Sequence, residues 1–218
     1  GDMFGKRRLL VIALFIFAAG SAVSALGDSV AAIVAGRVLQ GVGGGIFPLC
    51  FGIIRDEFPP ERVSASIGLM SATLGIGGGV GLIVGGLIID HASYHWIFWL
   101  GAGMAVAAAI AAVIFVPESP NRIPAKVDYR GAAVLAVGLS VPMYAISEAN
   151  NWGWASTKTI GLVLAGLAVL GFWVWLQKRT DDPLADVSLL AEPTVAMTNI
   201  ATILIGFGMF ASFILIPQ

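Results

Sequence analysis

Nineteen consecutive residues of this chain, from Gly68 to Gly86, carry no charge and read GLMSATLGIGGGVGLIVGG. About twenty residues at 1.5 Å each are enough to cross the hydrocarbon core of a bilayer. Lipid offers the backbone no hydrogen-bond partner, so such a segment must pair its own peptide groups as an α-helix. The stretch therefore predicts a transmembrane helix.

Six further apolar stretches point to the same environment. The seven stretches run from Leu9 to Leu26, Val30 to Ile54, Val63 to Ile89, Trp96 to Val116, Gly131 to Ser147, Ile160 to Leu176 and Thr194 to Pro217. Charged residues make up 11% of the chain and its mean hydropathy is +0.92, whereas soluble domains are about one-quarter charged. Strands of a membrane barrel would be shorter and would alternate in polarity. We therefore predict an all-α integral membrane protein with seven transmembrane helices.

The basic residues predict how these helices are oriented. Ten of the twelve fall in alternate connections: Lys6, Arg7, Arg8, Arg55, Arg62, Arg122, Lys126, Arg130, Lys178 and Arg179. Cytoplasmic loops carry the excess of lysine and arginine, so we expect the N-terminal end on the cytoplasmic side of the cell membrane. The six tryptophans lie near the predicted span ends, where an aromatic belt is expected: Trp96, Trp99, Trp152, Trp154, Trp173 and Trp175.

The ends of the chain predict that it is a piece of something larger. Residue 1 is a glycine, no signal peptide precedes it, and the last residues stop at the end of a span. An odd number of helices with such abrupt ends is what we expect of a piece of something larger.

Glycines on the third predicted span form a regular stripe. Gly77, Gly81 and Gly85 recur every four residues and so share one helix face. Small residues at this spacing let two helix backbones approach closely in lipid. Each interior glycine also disfavours the helix by about 1 kcal/mol relative to alanine. We predict a packing surface that can also bend.

One basic residue, Arg37, lies inside the second span. It is about seven residues, or roughly 10 Å, from the outer boundary at helical rise. An arginine there costs about 2.5 to 3.5 kcal/mol even on the mildest scale, which makes it a functional candidate by default. Gln40 and Gly41 follow at i+3 and i+4 and share its face. A side chain that snorkels to the interface, or a structural pair, is the alternative.

The chain opens with GDMFGKRR, in which Asp2 and Gly5 precede the basic residues Lys6 and Arg7 directly before a span. Such a turn can pair charges between neighbouring helix ends. The alternative is a plain positive-inside anchor.

These three stretches resemble the signatures of the major facilitator superfamily. The resemblance in the opening loop falls on Asp2, Gly5, Lys6 and Arg7, and that of helix 4 on Ile33, Arg37, Gln40, Gly41 and Gly43. The antiporter signature of helix 5 matches Gly68, Gly77, Gly81, Gly85 and Gly86. Leu82 stands where that family usually has proline, so a proline-dependent kink is not expected.

Four further stretches, HWIFW, PESPNRIPAKVDYRG, EANNWGWAS and FILIPQ, resemble the fourteen-helix drug/proton antiporters of multidrug-resistance type. On this resemblance the chain forms part of a major-facilitator-type helical bundle. Residues 1–116 would be the last four helices of its N-terminal six-helix half. Residues 117–180 are the two extra central helices, and residues 181–218 begin the C-terminal half. The missing helices would come from the same or a partner chain.

The resemblance implies proton-coupled export of small hydrophobic or cationic compounds by alternating access. Arg37 would respond to protonation of a nearby carboxylate, the glycine stripe would let helix 5 slide or bend, and Asp2 with the basic residues would hold the cytoplasmic ends in one state. The alternative is an exporter of a specific metabolite, siderophore or lipid. The partners are then a small-molecule substrate, protons and the lipid bilayer.

The thirteen acidic residues include none at the middle of a span. The resemblance places the proton-linked acid in helix 1, which this chain lacks. Glu148, at the outer end of the fifth span, is the best local substitute, and a solvated cap is its alternative role.

Other functional classes find little support. A seven-helix receptor would have its N-terminus outside, and no lysine lies within a span for a retinal Schiff base. His91 and His95 lie in an outer turn, the single cysteine Cys50 supports neither a disulfide nor a cysteine metal site, and no phosphate-binding loop occurs. We expect no enzyme activity, no cofactor, no metal and no nucleic-acid partner.

Overall fold

The structure is a computed structural model that describes residues 5–118 and 128–215, and within these ranges the chain is helical apart from turns and one longer connection, residues 178–192. The nine helices so described are α1 (Lys6–Leu26), α2 (Val30–Gly41), α3 (Ile46–Glu57), α4 (Pro60–His91), α5 (His95–Phe115), α6 (Tyr129–Ser147), α7 (Ala149–Trp152), α8 (Thr157–Gln177) and α9 (Pro193–Leu215). Six segments of the described chain are long and apolar enough to span a membrane, and α9 adds a further apolar helix. The predicted all-α membrane class is confirmed.

Side chains that cap the helices set where they begin. The Ser29 hydroxyl accepts a hydrogen bond from the Ala32 N–H at 3.2 Å, and the Ser156 hydroxyl accepts one from the Thr159 N–H at 3.2 Å. The Asp128 carboxylate accepts one from the Gly131 N–H at 2.8 Å. Each cap satisfies one of the four N–H groups that a helix start leaves unpaired.

The second predicted span, Val30 to Ile54, differs from the single helix that the sequence indicates. A turn of 3₁₀-helix at Val42–Gly45 separates α2 from α3. Three consecutive glycines lower the helix propensity there, and short 3₁₀ pieces are common where a helix is weakened. The residues on both sides still form one membrane-crossing segment, Val30–Glu57.

The chain divides into two compact units, residues 1–124 and 125–218. In unit 1, α1 packs against α5, α2 and α3. Glycines bring the backbones of α1 and α2 together, since a Cβ on Gly20 would lie 2.6 Å from the Gly36 carbonyl oxygen. Close approach of this kind is how helices pack in lipid, where hydrophobic burial gives no preference for protein over tails.

Small residues also line the contact of α5 with α1. Its buried positions recur along one face and include Ala102, Ala105, Ala109 and Ala112. Two leucines of α1, Leu10 and Leu14, pack against the last two of these alanines, and half-buried Cys50 lies beside the cluster. By contrast, α4 has no buried residue among those described.

In unit 2, α6 and α8 form a helical pair whose contact positions recur every seven residues. Gly138 of α6 lies against Leu170, so that a Cβ there would be 2.8 Å from Leu170 Cδ2, and Gly166 of α8 lies against the ring of Pro142. A seven-residue repeat is typical of helices that cross at about 20°. Trp173, seven residues after Gly166, is 8% exposed. The prediction of Trp173 as an interfacial anchor was therefore wrong, because the repeat turns it inward.

A polar connection closes one end of this pair. Gln177, at the end of α8, donates a hydrogen bond from Nε2 to Asp128 Oδ2 at 2.7 Å and accepts one at Oε1 from the Leu184 N–H at 2.6 Å. A Cβ on Gly131 would collide with both Asp128 and Gln177. Gln177 thus joins the start of α6 to the segment that follows α8.

We predict that Gly166→Ala loosens the α6–α8 pair, because the new methyl group has no room beside Pro142. Overpacking of this kind costs about 1 to 3 kcal/mol. The control is Gly171→Ala on the same helix, where an added Cβ meets no atom within 4 Å. Unfolding of the purified chain in mixed detergent micelles measures both variants. Equal loss of stability in the two would contradict the contact.

We also predict a pH-dependent contribution from Asp128. The pKa of this carboxyl is lowered, first by the hydrogen bond from the Gly131 N–H and then by the one from Gln177. Its stabilising effect is therefore present above the usual aspartate pKa of about 3.9 and is lost as the pH falls through the lowered pKa. Asp128→Asn should flatten the loss of thermal stability below about pH 4, whereas Asp181→Asn, at an exposed carboxylate, should leave the profile unchanged.

Candidate functional site

Arg37 lies on α2 and belongs to a group of contacting side chains from three helices of unit 1. Its Nη1 donates a hydrogen bond to Gln40 Oε1 at 3.1 Å, one turn along the same helix. Gln40 Nε2 in turn donates to Ser21 Oγ on α1 at 2.7 Å. On the other side, the guanidinium carbon lies 5.1 Å from the centroid of the Phe98 ring on α5. We call these four residues the arginine site.

The close crossing of α1 and α2 makes this arrangement possible. Gly36 precedes Arg37, and a Cβ at that position would clash with Ser24 and with the Gly20 carbonyl. Without side chains at the crossing, Gln40 reaches Ser21 and both become buried. The i+3 relation of Arg37 and Gln40 was predicted from the sequence, whereas Ser21 and Phe98 were not.

The charge of Arg37 is only partly compensated within its own unit. Among the described residues of unit 1, no carboxylate oxygen lies within 4.0 Å of the guanidinium, although three pairs of a lysine or arginine with a carboxylate are present there. An amide oxygen and an aromatic face are its neighbours, and the rest of the side chain is exposed on the surface of the unit. The arrangement leaves guanidinium N–H groups available to an anionic group.

A second group of charges lies at the N-terminal end of α1. Lys6 Nζ is 2.6 Å from Asp56 Oδ2 near the end of α3, and the two side chains are 12% and 11% exposed. Arg7 Nη1 donates to the Val116 carbonyl at 3.2 Å. Arg7 Nε and Arg8 Nε lie 3.9 and 3.7 Å from Glu118 Oε2, just beyond α5. This charge cluster joins the ends of α1, α3 and α5.

Gly5 and Asp2, two of the predicted motif residues, have different outcomes here. Gly5 has φ +90°, a conformation that favours glycine, and a Cβ there would collide with the Glu118 carboxylate. Asp2 lies outside the described residues. Asp56 and Glu118 were not predicted from the sequence. They could have been found there, because each is an acid at the end of the span that lies beside the basic start of α1.

The glycine stripe of α4 is uncovered in the part of the chain that the structure describes. A Cβ on Gly77, Gly81 or Gly85 would meet no atom within 4 Å, and the same holds for Gly68 and Gly86, the other two glycines of the helix 5 signature. Gly41 of the helix 4 signature is equally open. The stripe as a packing surface stays a prediction.

Glu148, the acid considered as a substitute proton carrier, lies at a helix end, as do Asp28 and Asp90. Glu148 accepts a hydrogen bond from Asn151 Nδ2 at 2.9 Å, in the turn before α7. Asp28 Oδ1 lies 3.3 Å from His95 Nε2, and Asp90 is exposed on the last turn of α4. Within residues 5–118 and 128–215, no three acidic, histidine or cysteine side chains group as metal ligands.

Unit 1 also carries two open apolar grooves. One, of about 750 Å³, runs along α1 and α3 from Ile12 and Leu49 to Lys6 and Arg55. The other, of about 620 Å³, lies where α4 meets α5 and contains Trp99. Neither is lined by the arginine site.

We predict that Asp56→Asn destabilises the chain, because Lys6 loses its ionised neighbour in a poorly hydrated position. Removing one partner of such a pair costs about 3 kcal/mol. Glu57→Gln, one residue further along and exposed, provides the matched control and should cost less than about 0.5 kcal/mol. Unfolding titrations measure the free energy of unfolding of both variants. If Asp56→Asn leaves it unchanged, the pair has no structural role.

Comparison with known proteins adds a family. The sequence model of the Major Facilitator Superfamily matches residues 1–218. The chain is 30% identical to the tetracenomycin C resistance and export protein of Streptomyces glaucescens, over 99% of this chain and 41% of that protein. It is 26% identical to multidrug resistance protein 3 of Bacillus subtilis and 29% to a multidrug resistance protein B homolog of Mycobacterium tuberculosis, covering 43% and 41% of them. The chain thus spans about two fifths of the length of these relatives.

Proposed function

The chain belongs to the Major Facilitator Superfamily, and we propose that it forms part of a proton-coupled exporter of small hydrophobic or cationic compounds. Two observations support the proposal. Its relatives carry names of drug resistance and antibiotic export. Within the described part of unit 1, an intramembrane arginine has no carboxylate partner, and intramembrane charges mark transport and proton pathways. The proposed coupling mechanism rests on this arginine.

In this mechanism Arg37 responds to a carboxylate from the helices outside this chain. A positive neighbour favours the ionised carboxylate and so lowers its pKa. When the carboxylate takes up a proton, the attraction is lost and Arg37 returns to Gln40 and Phe98. The arginine thus converts a protonation event into a movement at the crossing of α1, α2 and α5.

The charge cluster would hold one end of these helices together in one state of the transport cycle. Lys6 and Asp56 join α1 to α3, and Glu118 faces Arg7 and Arg8 from the end of α5. On the positive-inside rule this end lies in the cytoplasm. Opening of the cavity toward the cytoplasm would separate the charges.

The uncovered stripe on α4 would pack against helices that the chain lacks. Gly77, Gly81 and Gly85 allow backbones to approach and to slide. Leu82, which is 53% exposed, replaces the proline of the family signature, so bending would depend on weak glycine propensity rather than on a proline kink.

The predicted division of the chain stays part of the proposal. Residues 1–116 would complete an N-terminal half with two earlier helices, residues 117–180 would be the extra pair, and residues 181–218 would begin the second half. The pairing of α6 with α8 supports the second of these parts. The N-terminal end would face the cytoplasm of a cell membrane.

An exporter dedicated to one compound is the second candidate. It is favoured by the relative from Streptomyces glaucescens, whose name specifies resistance to and export of a single compound. Export assays of the full-length protein with a panel of unrelated cationic and neutral compounds separate the two candidates, because a dedicated exporter accepts one chemical class.

We predict that Arg37→Gln in the full-length protein lowers proton-driven export at least about tenfold, which corresponds to the loss of about 1.4 kcal/mol of coupling. The reason is that a neutral amide cannot respond to the charge of a carboxylate. Transport into everted vesicles under an imposed pH gradient measures the effect. Arg62→Gln, on the exposed start of α4, is the control. Full activity of Arg37→Gln in correctly inserted protein would remove the coupling role.

A further inference from the structure

We propose that Phe98 is a positioning residue that holds the Arg37 guanidinium in a resting position and thereby sets how readily Arg37 meets a carboxylate. The inference rests on the proposed function for its consequence, but the contact itself is a feature of unit 1. The resting position is defined by the Phe98 ring and by the Gln40 amide, both of which contact the Arg37 guanidinium.

The ring of Phe98 is itself firmly placed. Phe98 is 8% exposed on the face of α5 that also buries Ala102 and Ala105. Tyr94, one turn earlier, meets it edge to face, with ring centroids 6.4 Å apart and planes at 85°. Tyr94 stacks in turn on His95 at 4.0 Å. A ring packed in this way keeps its face directed at Arg37.

The ring face is electrostatically suited to a cation. An aromatic face carries the negative end of the ring quadrupole, and a guanidinium within about 6 Å of the centroid is attracted to it. This attraction grows when water is excluded. Since no carboxylate of the described unit lies within 4.0 Å of Arg37, the ring supplies the attraction that an anion would otherwise give.

The consequence is a competition for the guanidinium. A carboxylate from another helix must draw Arg37 away from the ring, so a strongly attracting ring leaves that carboxylate with a higher pKa and a weakly attracting ring leaves it with a lower one. The titratable groups near this level are Tyr94 and His95 on α5 and Asp28 in the turn between α1 and α2, which pairs with His95. The described residues of α1 at the site contribute Ser21, which does not titrate.

The contact can be tested without transport. 4-Fluorophenylalanine is placed at position 98 of the full-length protein, and its ¹⁹F resonance is compared between the native sequence and Arg37→Gln. We expect the resonance to move when the charge is removed. A matched label at Phe115, 80% exposed at the far end of the same helix, should not respond, and Arg62→Gln should move neither. An unchanged resonance at position 98 would overturn the proposal.

The functional consequence is tested by fluorinating the ring in steps, which weakens its negative face with little change of shape. Across mono-, di- and trifluorophenylalanine at position 98, the pH at half-maximal proton-driven export should fall progressively, by about 0.5 to 1 unit in all. In Phe98→Leu the pH at half-maximal export should fall by the same amount. In Phe98→Trp it should equal or exceed that of the native protein. The same fluorination at Phe115 should have no effect. If the pH at half-maximal export is constant across the series, the ring only fills space, and the positioning role of Phe98 is overturned.

Failure of the proposed function is recognised separately. If the unmodified full-length protein shows no proton-driven export at any pH, the export proposal is wrong whatever the resonance shows. A resonance at position 98 that still responds to Arg37→Gln in that case supports the ring contact itself.

Discussion

A guanidinium group inside a bilayer must be given hydrogen-bond acceptors and a negative surface, and unit 1 provides both to Arg37 without a carboxylate from its described residues. The acceptor, Gln40, is in place because Gly36 lets α2 lie directly on α1, where Ser21 accepts the bond from the amide. The negative surface is the Phe98 ring, which the alanine-lined contact of α5 with α1 brings into range. Close backbone packing and the charge inside the membrane therefore depend on each other.

The helices of unit 1 are joined a second time at the opposite end of α1, where lysine and arginine side chains face carboxylates. Lys6 with Asp56 connects α1 to α3, and Glu118 connects the end of α5 to Arg7 and Arg8. A bundle held near the membrane interior by an arginine with uncharged partners, and at its edge by ion pairs, can be opened from either end. Two separable sets of contacts fit the alternating access that we propose for the full-length protein.

The sequence predicted what depends on nearest neighbours along the chain. Span lengths follow from apolar runs, and the Arg37–Gln40 bond follows from the i+3 relation. The partners contributed by other helices, Ser21 and Phe98, were missed because apolar and small residues are the default in a membrane helix and nothing local marks one of them. Trp173 was placed at the interface for the same reason: its position near a span end was visible, whereas the seven-residue contact repeat that buries it needed the partner helix.

In the proposed coupling mechanism, a carboxylate and Arg37 exchange partners as protons and compounds bind. The most direct measurement is of proton release when a cationic compound is added to the purified full-length protein in weakly buffered detergent solution. We expect protons to be released in step with binding, because the ionised carboxylate that attracts Arg37 is also the form that a cation favours. Saturable binding of the compound without proton release between about pH 6 and 8 would contradict it.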